Sequence, residues 1–230
     1  AYECYLTYQI REAIIYTGKS LNLWKEKKNI EMIGNCLRFL SRLWWYDGNR
    51  KQAEIFSVQA IESFENQPVS KAKAMAYSNM SQLKMLSEQP AECISFGEKA
   101  IAMAKELADD EILSHALNNV GNVKFTIPSS EKEGLELLKQ SLDIALKNSY
   151  HEHAARAFTN LSYSAFVIKD YEMAEKYTDA GLRYCEERDM DTWNIYIQSS
   201  NARIKLETGN WDEALRIAEH IIGNENQSPI

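Results

Sequence analysis

Nowhere in this 230-residue chain do eighteen apolar residues run together, so no segment is expected to cross a membrane as a helix. No signal-peptide pattern opens it. No basic run stands out either. Lys+Arg number 26 against 33 Asp+Glu, a net charge of −7, and the positive footprint of a nucleic-acid binder is missing. Cys4, Cys36, Cys93 and Cys185 lie far apart with no Cys-x-x-Cys pair. That argues against structural zinc or a disulfide framework and makes a reducing cytoplasm the expected location. A phosphate-cradling glycine loop, Gly-x-Ser-x-Gly and His-Glu-x-x-His are all absent, so no catalytic residue, no cofactor and no enzymatic activity are expected. His151-Glu152-His153 comes nearest to a metal site, yet residues two apart do not share a helix face. It reads as exposed residues opening a helix.

What the chain does contain is a repeat. Ala13, Ala53, Cys93, Gly134, Ala174 and Ala214 are separated by 40, 40, 41, 40 and 40 residues. Seven residues after each comes a second small row, Ser20, Ala60, Ala100, Ser141 and Gly181, broken only by Ile221. The next position is aliphatic throughout: Leu21, Ile61, Ile101, Leu142, Leu182, Ile222. A third small row runs Ser41, Ser81, Gly121, Ser162 and Ala202. Self-similarity at this period marks a solenoid of supersecondary units. Small residues fit because helices pack roughly 8–10 Å apart, and the near limit needs Ala, Ser or Gly at the crossing.

The stretch from Ala155 to Cys185 shows the unit: two amphipathic helices joined at Lys169-Asp170. Its Asn160-Leu161-Ser162, Lys169-Asp170-Tyr171 and Ala174 resemble the tetratricopeptide repeat, as do Gly209-Asn210-Trp211-Asp212-Glu213-Ala214 and Gly48-Asn49 with Ala53. The usual repeat of that family is about 34 residues, so both helices are expected to be lengthened. Segments such as Leu40-Ser41-Arg42-Leu43-Trp44, Ala76-Tyr77-Ser78-Asn79, Ser114-His115-Ala116-Leu117-Asn118-Asn119 and Tyr184-Cys185-Glu186-Glu187-Arg188-Asp189 resemble the helical-repeat region of large LuxR-type bacterial regulators. That resemblance implies an ATPase module before the arm and often a helix-turn-helix domain after it.

The expected fold is therefore all-α: a right-handed tetratricopeptide-like α-solenoid of about six hairpins over residues 1–222, with a disordered tail at 223–230. Residues 1–6 read as the remnant of a first helix, with Tyr2, Tyr5 and Leu6 on one side. The chain starts at Ala1 without an initiator Met and reads as an excised piece of a longer protein. An uncapped apolar end of this kind predicts a homodimer or crystal contact through the terminal repeats. Helices are expected near 30–46 and 211–222, among others. Asp47-Gly48-Asn49 should make a turn with Asn49 as N-cap and Gln52 as capping-box partner. Pro90 should open a helix, and Pro128 should stop one by Ile127. Ser130 with Glu133 reads as a further capping box. The extra residue behind the 41-residue spacing is expected within 126–130. Gly18, Gly97, Gly134 and Gly181, inside second helices, are expected at close helix approaches.

In tetratricopeptide solenoids the first helix of each pair lines the concave groove. Carried over by phase, that resemblance places Asn35, Arg38, Arg42 and Trp45 inside, then Met75, Ser78, Gln82 and Met85. His115, Asn118, Asn122 and Phe125 follow, with Arg156, Thr159, Tyr163, Phe166, Tyr196, Ser199 and Arg203 completing the wall. Amides can hold a peptide backbone, Arg can take carboxylates bidentately and aromatics supply contact area. Three readings stand: an arm that binds a protein or peptide for a parent regulator, a small-molecule inducer sensor, or a self-association scaffold.

Overall fold

Short turns set the architecture. A computed structural model describes residues 1–6 and 9–223, except the side chain of Leu6. Its helices are α1 (Tyr2–Leu6), α2 (Ile10–Glu26), α3 (Ile30–Tyr46), α4 (Arg50–Ser63), α5 (Lys71–Leu86), α6 (Pro90–Glu106), α7 (Asp110–Phe125), α8 (Glu131–Lys147), α9 (His151–Val167), α10 (Tyr171–Glu186), α11 (Asp191–Glu207) and α12 (Trp211–Ile222). No strand occurs among the described residues. Apart from the fragment α1, odd numbers are first helices and even numbers second helices. The tail expected at 223–230 lies outside the described residues beyond Gly223, which closes α12.

Most turns are built alike. Lys28, Gly48, Glu88, Ala108, Ser149, Lys169, Asp189 and Gly209 each take positive φ. The amide of the next residue reaches back five residues to a helix carbonyl, as in Asn49 N–H to Trp44 O (2.9 Å), Gln89 to Lys84 (2.9 Å) and Asp170 to Ala165 (2.9 Å). This is the Schellman closure. The residue that closes one helix then caps the next. The Oδ1 atoms of Asn49, Asp109 and Asp170 accept the amides of Gln52 (3.1 Å), Ile112 (3.0 Å) and Met173 (3.0 Å). Pro90 stands first in α6, as expected. α7 stops at Phe125 and α8 starts at Glu131, so the extra residue does fall within 126–130. The capping box expected there does not form. Ser130 Oγ donates to Lys124 O (3.1 Å), and Glu133 is drawn instead to the Lys124 ammonium (2.7 Å).

The described residues fall into two compact units, one up to Ala116 and one from Leu117 on. In the first, Leu21, Cys36, Leu37, Leu40, Ala60, Phe64, Ala72 and Ala76 form the main core, and Ala74, Met103, Ala104 and Ile112 a second cluster. In the second, Phe125, Leu138, Leu142, Ala145, Ala157, Phe158, Leu161, Ala165, Ala174 and Ile204 share the largest cluster. The small rows lie inside these cores: Ala13, Ala53, Cys93 and Ala174 have no exposed surface. Ser20 and Ala202, in the outermost hairpins, are only half-buried. Serines in the rows remain satisfied, since Ser81 Oγ donates to Cys93 O (2.8 Å) and the Ser162 and Thr178 hydroxyls bond each other (2.6 Å).

Two glycines decide how far the packing argument reaches. A methyl group at Gly134 would overlap the backbone nitrogen of Phe125, so α8 touches the end of α7 there. At Gly18 nothing lies within 4 Å of the same methyl, and the close approach expected for that residue is absent.

Candidate binding face on the first helices

Arginine and lysine part company on the first helices. Lys84, Lys124 and Lys205 occupy equivalent positions near the ends of α5, α7 and α11, and each turns toward second helices. Lys84 Nζ sits 2.8 Å from Glu54 Oε1 on α4 and 3.0 Å from Glu92 Oε2 on α6. Lys124 reaches Glu133 on α8 (2.7 Å), and Lys205 reaches Glu175 on α10 (2.9 Å). Burial acts against the Lys84 charge, but bonds to the two glutamates win and hold its pKa above the ordinary lysine value. The Glu175 bond likewise raises Lys205. These lysines staple helices together. Reading small and apolar rows alone misses this one. Its signal is nonetheless in the sequence, because Glu54 and Glu175 each precede their lysine by 30 residues.

The expected face residues sort into three environments. In the first unit, Asn35, Arg38, Met75, Gln82 and Met85 are half-buried. Arg42 is engaged by the chain itself: Nη2 donates to Tyr5 Oη (2.6 Å) and the guanidinium lies over the Tyr5 and Tyr46 rings at 5.1 and 5.9 Å. Trp45 is overlain by Arg50 at 5.3 Å. His115 is buried, with Nδ1 2.7 Å from Ser78 Oγ.

In the second unit a buried polar network joins α7 to α9. Asn118 Oδ1 accepts from Arg156 Nε (3.4 Å) and Nη2 (3.3 Å) and from Asn160 Nδ2. Arg156 Nη2 also donates to Asn119 Oδ1, and Asn122 Nδ2 donates to Ser164 Oγ (3.1 Å). Asn118, Asn119, Asn122 and Arg156 are all buried. The Nδ2 group of Asn118 is buried without a hydrogen-bond partner. Such a donor costs about 1–3 kcal/mol unless something accepts from it. Asn119, Asn160 and Ser164 join this network although phase alone does not select them. Thr159 is buried too and spends its hydroxyl on Ala155 O (2.9 Å).

Beyond the network the face is open. Tyr163 follows Arg156 and Asn160 at helical spacing on α9 and is exposed, as are Tyr196, Ser199 and Arg203 on α11. The Arg203 guanidinium lies over the Phe166 ring at 5.1 Å, a contact between α11 and α9. Phe125 does not belong to this face. It is 1% exposed and packs among Leu138, Leu142 and Ala145, because Gly134 lets α8 press against it.

Among the described residues no group of three or more His, Cys, Asp or Glu side chains could hold a metal ion. His151 Nδ1 lies 2.8 Å from Tyr184 Oη, and the His153 ring meets Tyr150 edge-on. Burial pushes the Cys185 thiol up to about 11, so it stays protonated at neutral pH. No described helix is long and apolar enough to cross a membrane.

No protein-family profile matches the chain, and no curated protein matches it. Solved structures do. The crystal structure of BtubC (BKLC) from P. vanneervenii superposes with a TM-score of 0.66 at 14% identity, covering 96% of this chain and 95% of that one. Aspartyl phosphate phosphatase F from Bacillus subtilis gives 0.65 at 12% identity over 98% of this chain and 70% of that one. Two structures of a putative kinesin light chain of Podosopora anserina, with nearly identical TPR-like repeats, give 0.58 and 0.57 at 15% identity. They cover 82% of this chain and 92% and 93% of theirs. At these identities the likeness concerns architecture, and it establishes that the chain has the tetratricopeptide-like α-solenoid fold.

Proposed function

We propose that this chain is a non-catalytic arm that binds a protein or peptide along the first helices, on behalf of a larger bacterial signalling or transcriptional regulator in the cytoplasm. One observation carries the reading. Exposed Tyr163, Tyr196 and Arg203 accompany a buried Asn118–Asn119–Arg156–Asn160 network in which the Asn118 amide still has a donor to give. Aromatic rings and an arginine are the side chains that dominate protein-binding surfaces, and amides of α7 and α9 that are already hydrogen-bonded before a ligand arrives lower the entropic cost of binding. A fold shared with a kinesin light chain and an aspartyl phosphate phosphatase offers a surface to adapt rather than one fixed chemistry.

The test is selection from a display library of random peptides on the immobilised chain. Enrichment of a shared motif, lost when Tyr163 and Arg203 are both changed to Ala, supports the reading. Absence of any enriched motif, together with thermal stabilisation by members of a metabolite panel, would replace it with a small-molecule sensor.

A further inference from the structure

The polar network between α7 and α9 holds more donors than acceptors. Asn118, Asn119, Asn122 and Asn160 each bring two N–H groups and an oxygen with two lone pairs, so the amides balance among themselves. Ser164 adds one donor and two lone pairs, whereas Arg156 adds five donors and accepts nothing. Arg156 is buried, and its bonds to Asn118 and Asn119 end on uncharged oxygens. The surplus comes to rest on one atom. Asn118 Oδ1 takes two bonds from Arg156 and one from Asn160, while Nδ2 is buried with no acceptor. Turning the amide over would set Nδ2 against those same donors, so its orientation is fixed.

Nδ2 belongs to the amide that Arg156 grips, so an acceptor placed there also lies in the field of the guanidinium. Asn160 is half-buried, which brings the network to the surface, and exposed Tyr163 stands one turn further along α9. Hairpins precede and follow α7 and α9 in the chain, so the orphaned donor is no product of a bare end.

We propose that a carboxylate of the bound peptide completes this network, accepting from Asn118 Nδ2 and neutralising Arg156. A carboxylate is the one charged group of an unmodified peptide that accepts without donating, and it offers about four lone-pair sites. Its bonds to an arginine are roughly twice as strong as those between neutral groups. The proposal rests on the peptide-binding reading and adds the chemistry of the ligand: an acidic side chain or a free C-terminus.

Three libraries of random peptides, offered to the immobilised chain, test it. The first lacks Asp and Glu and ends in an amide. The second adds Asp and Glu to the first, and the third instead adds a free C-terminal carboxylate. Enrichment should appear in the second or the third only, and the one that responds identifies the source of the carboxylate. Equal enrichment in the first overturns the proposal and leaves peptide binding standing, whereas no enrichment in any library removes both. Fluorescence anisotropy with an enriched peptide and its acid-to-amide analogue then locates the carboxylate. The unaltered chain should hold the acid form at least about tenfold tighter, and Arg156→Gln should bring the two forms within about twofold. Arg203→Ala should weaken both forms alike. A preference that persists in Arg156→Gln, or vanishes in Arg203→Ala, overturns the proposal. Circular dichroism checks folding. Should Arg156→Gln unfold, Asn118→Asp takes its place: its own carboxylate fills the position, and a retained preference for the acid form would overturn the proposal.

Discussion

At the scale of single residues, the glycines inside second helices are not equivalent, and substitution should separate them. Gly134→Ala places a methyl on the backbone of Phe125, which cannot give way, and should destabilise the chain. Gly18→Ala meets open space within a helix and should stabilise it by up to about 1 kcal/mol through helix propensity. Chemical denaturation of the two variants, compared with the unaltered chain, should show shifts of opposite sign. Both glycines sit inside second helices, but Gly134 stands on the first small row of the repeat and Gly18 on none, its equivalents being Val58, Glu98, Lys139 and Asp179. Membership of a small row, not glycine itself, is the sequence signal of close approach.

Asp109 is the residue to read by pH. It caps α7 through the Ile112 amide and pairs with Lys71 at 2.6 Å. Burial works against its charge, but the backbone bond and the Lys71 ammonium prevail and lower its pKa below the usual aspartate value. A carboxylate depressed in the folded state adds stability above its unfolded pKa near 4 and loses it as pH falls through the lower, folded value. Acid denaturation should therefore be less steep in Asp109→Asn, and the stability gap between the two proteins should close as the pH drops below about 4. A constant gap across that range would mean that capping geometry, not charge, is what Asp109 contributes.

At the scale of elements, the lysine staples make a stronger claim than the visible hydrophobic pattern. Lys84 is buried against two partners on different second helices, whereas both glutamates remain more than half exposed. Lys84→Ala should cost about 2 kcal/mol, the range of hydrogen bonds to charged groups. A double-mutant cycle with Glu54→Ala should recover part of that as coupling. Because its folded-state pKa is raised, the Lys84 contribution is fully present below the unfolded lysine value and fades as pH rises through the folded one. Zero coupling in the cycle would reduce the row to incidental surface pairing.

Helix bounds are largely legible in the sequence: α3 and α12 fall on the expected residues, and Pro90 and the 126–130 turn do what their chemistry dictates. Side-chain direction is less legible. Phase puts Phe125 on the candidate face with Asn118 and Asn122, but the helix ends at Phe125 and the core of the second unit takes the ring. Phase also makes Asn118 and Arg156 a free surface, although they spend most of their bonds on each other and on neighbouring amides.

At the scale of the whole molecule, a fold written in small residues at a 40-residue period carries a face made of Tyr163, Arg203 and the amides beside them. On the proposed reading, ligands are taken by first helices, not second ones. Fluorescence anisotropy with the labelled peptide that emerges from selection tests this most directly. Arg203→Ala and Tyr163→Ala should each weaken binding about tenfold, roughly 1.4 kcal/mol, while Glu172→Ala and Lys176→Ala on the exposed side of α10 should leave it unchanged. Equal affinity in all four variants, or loss confined to the α10 pair, would contradict it.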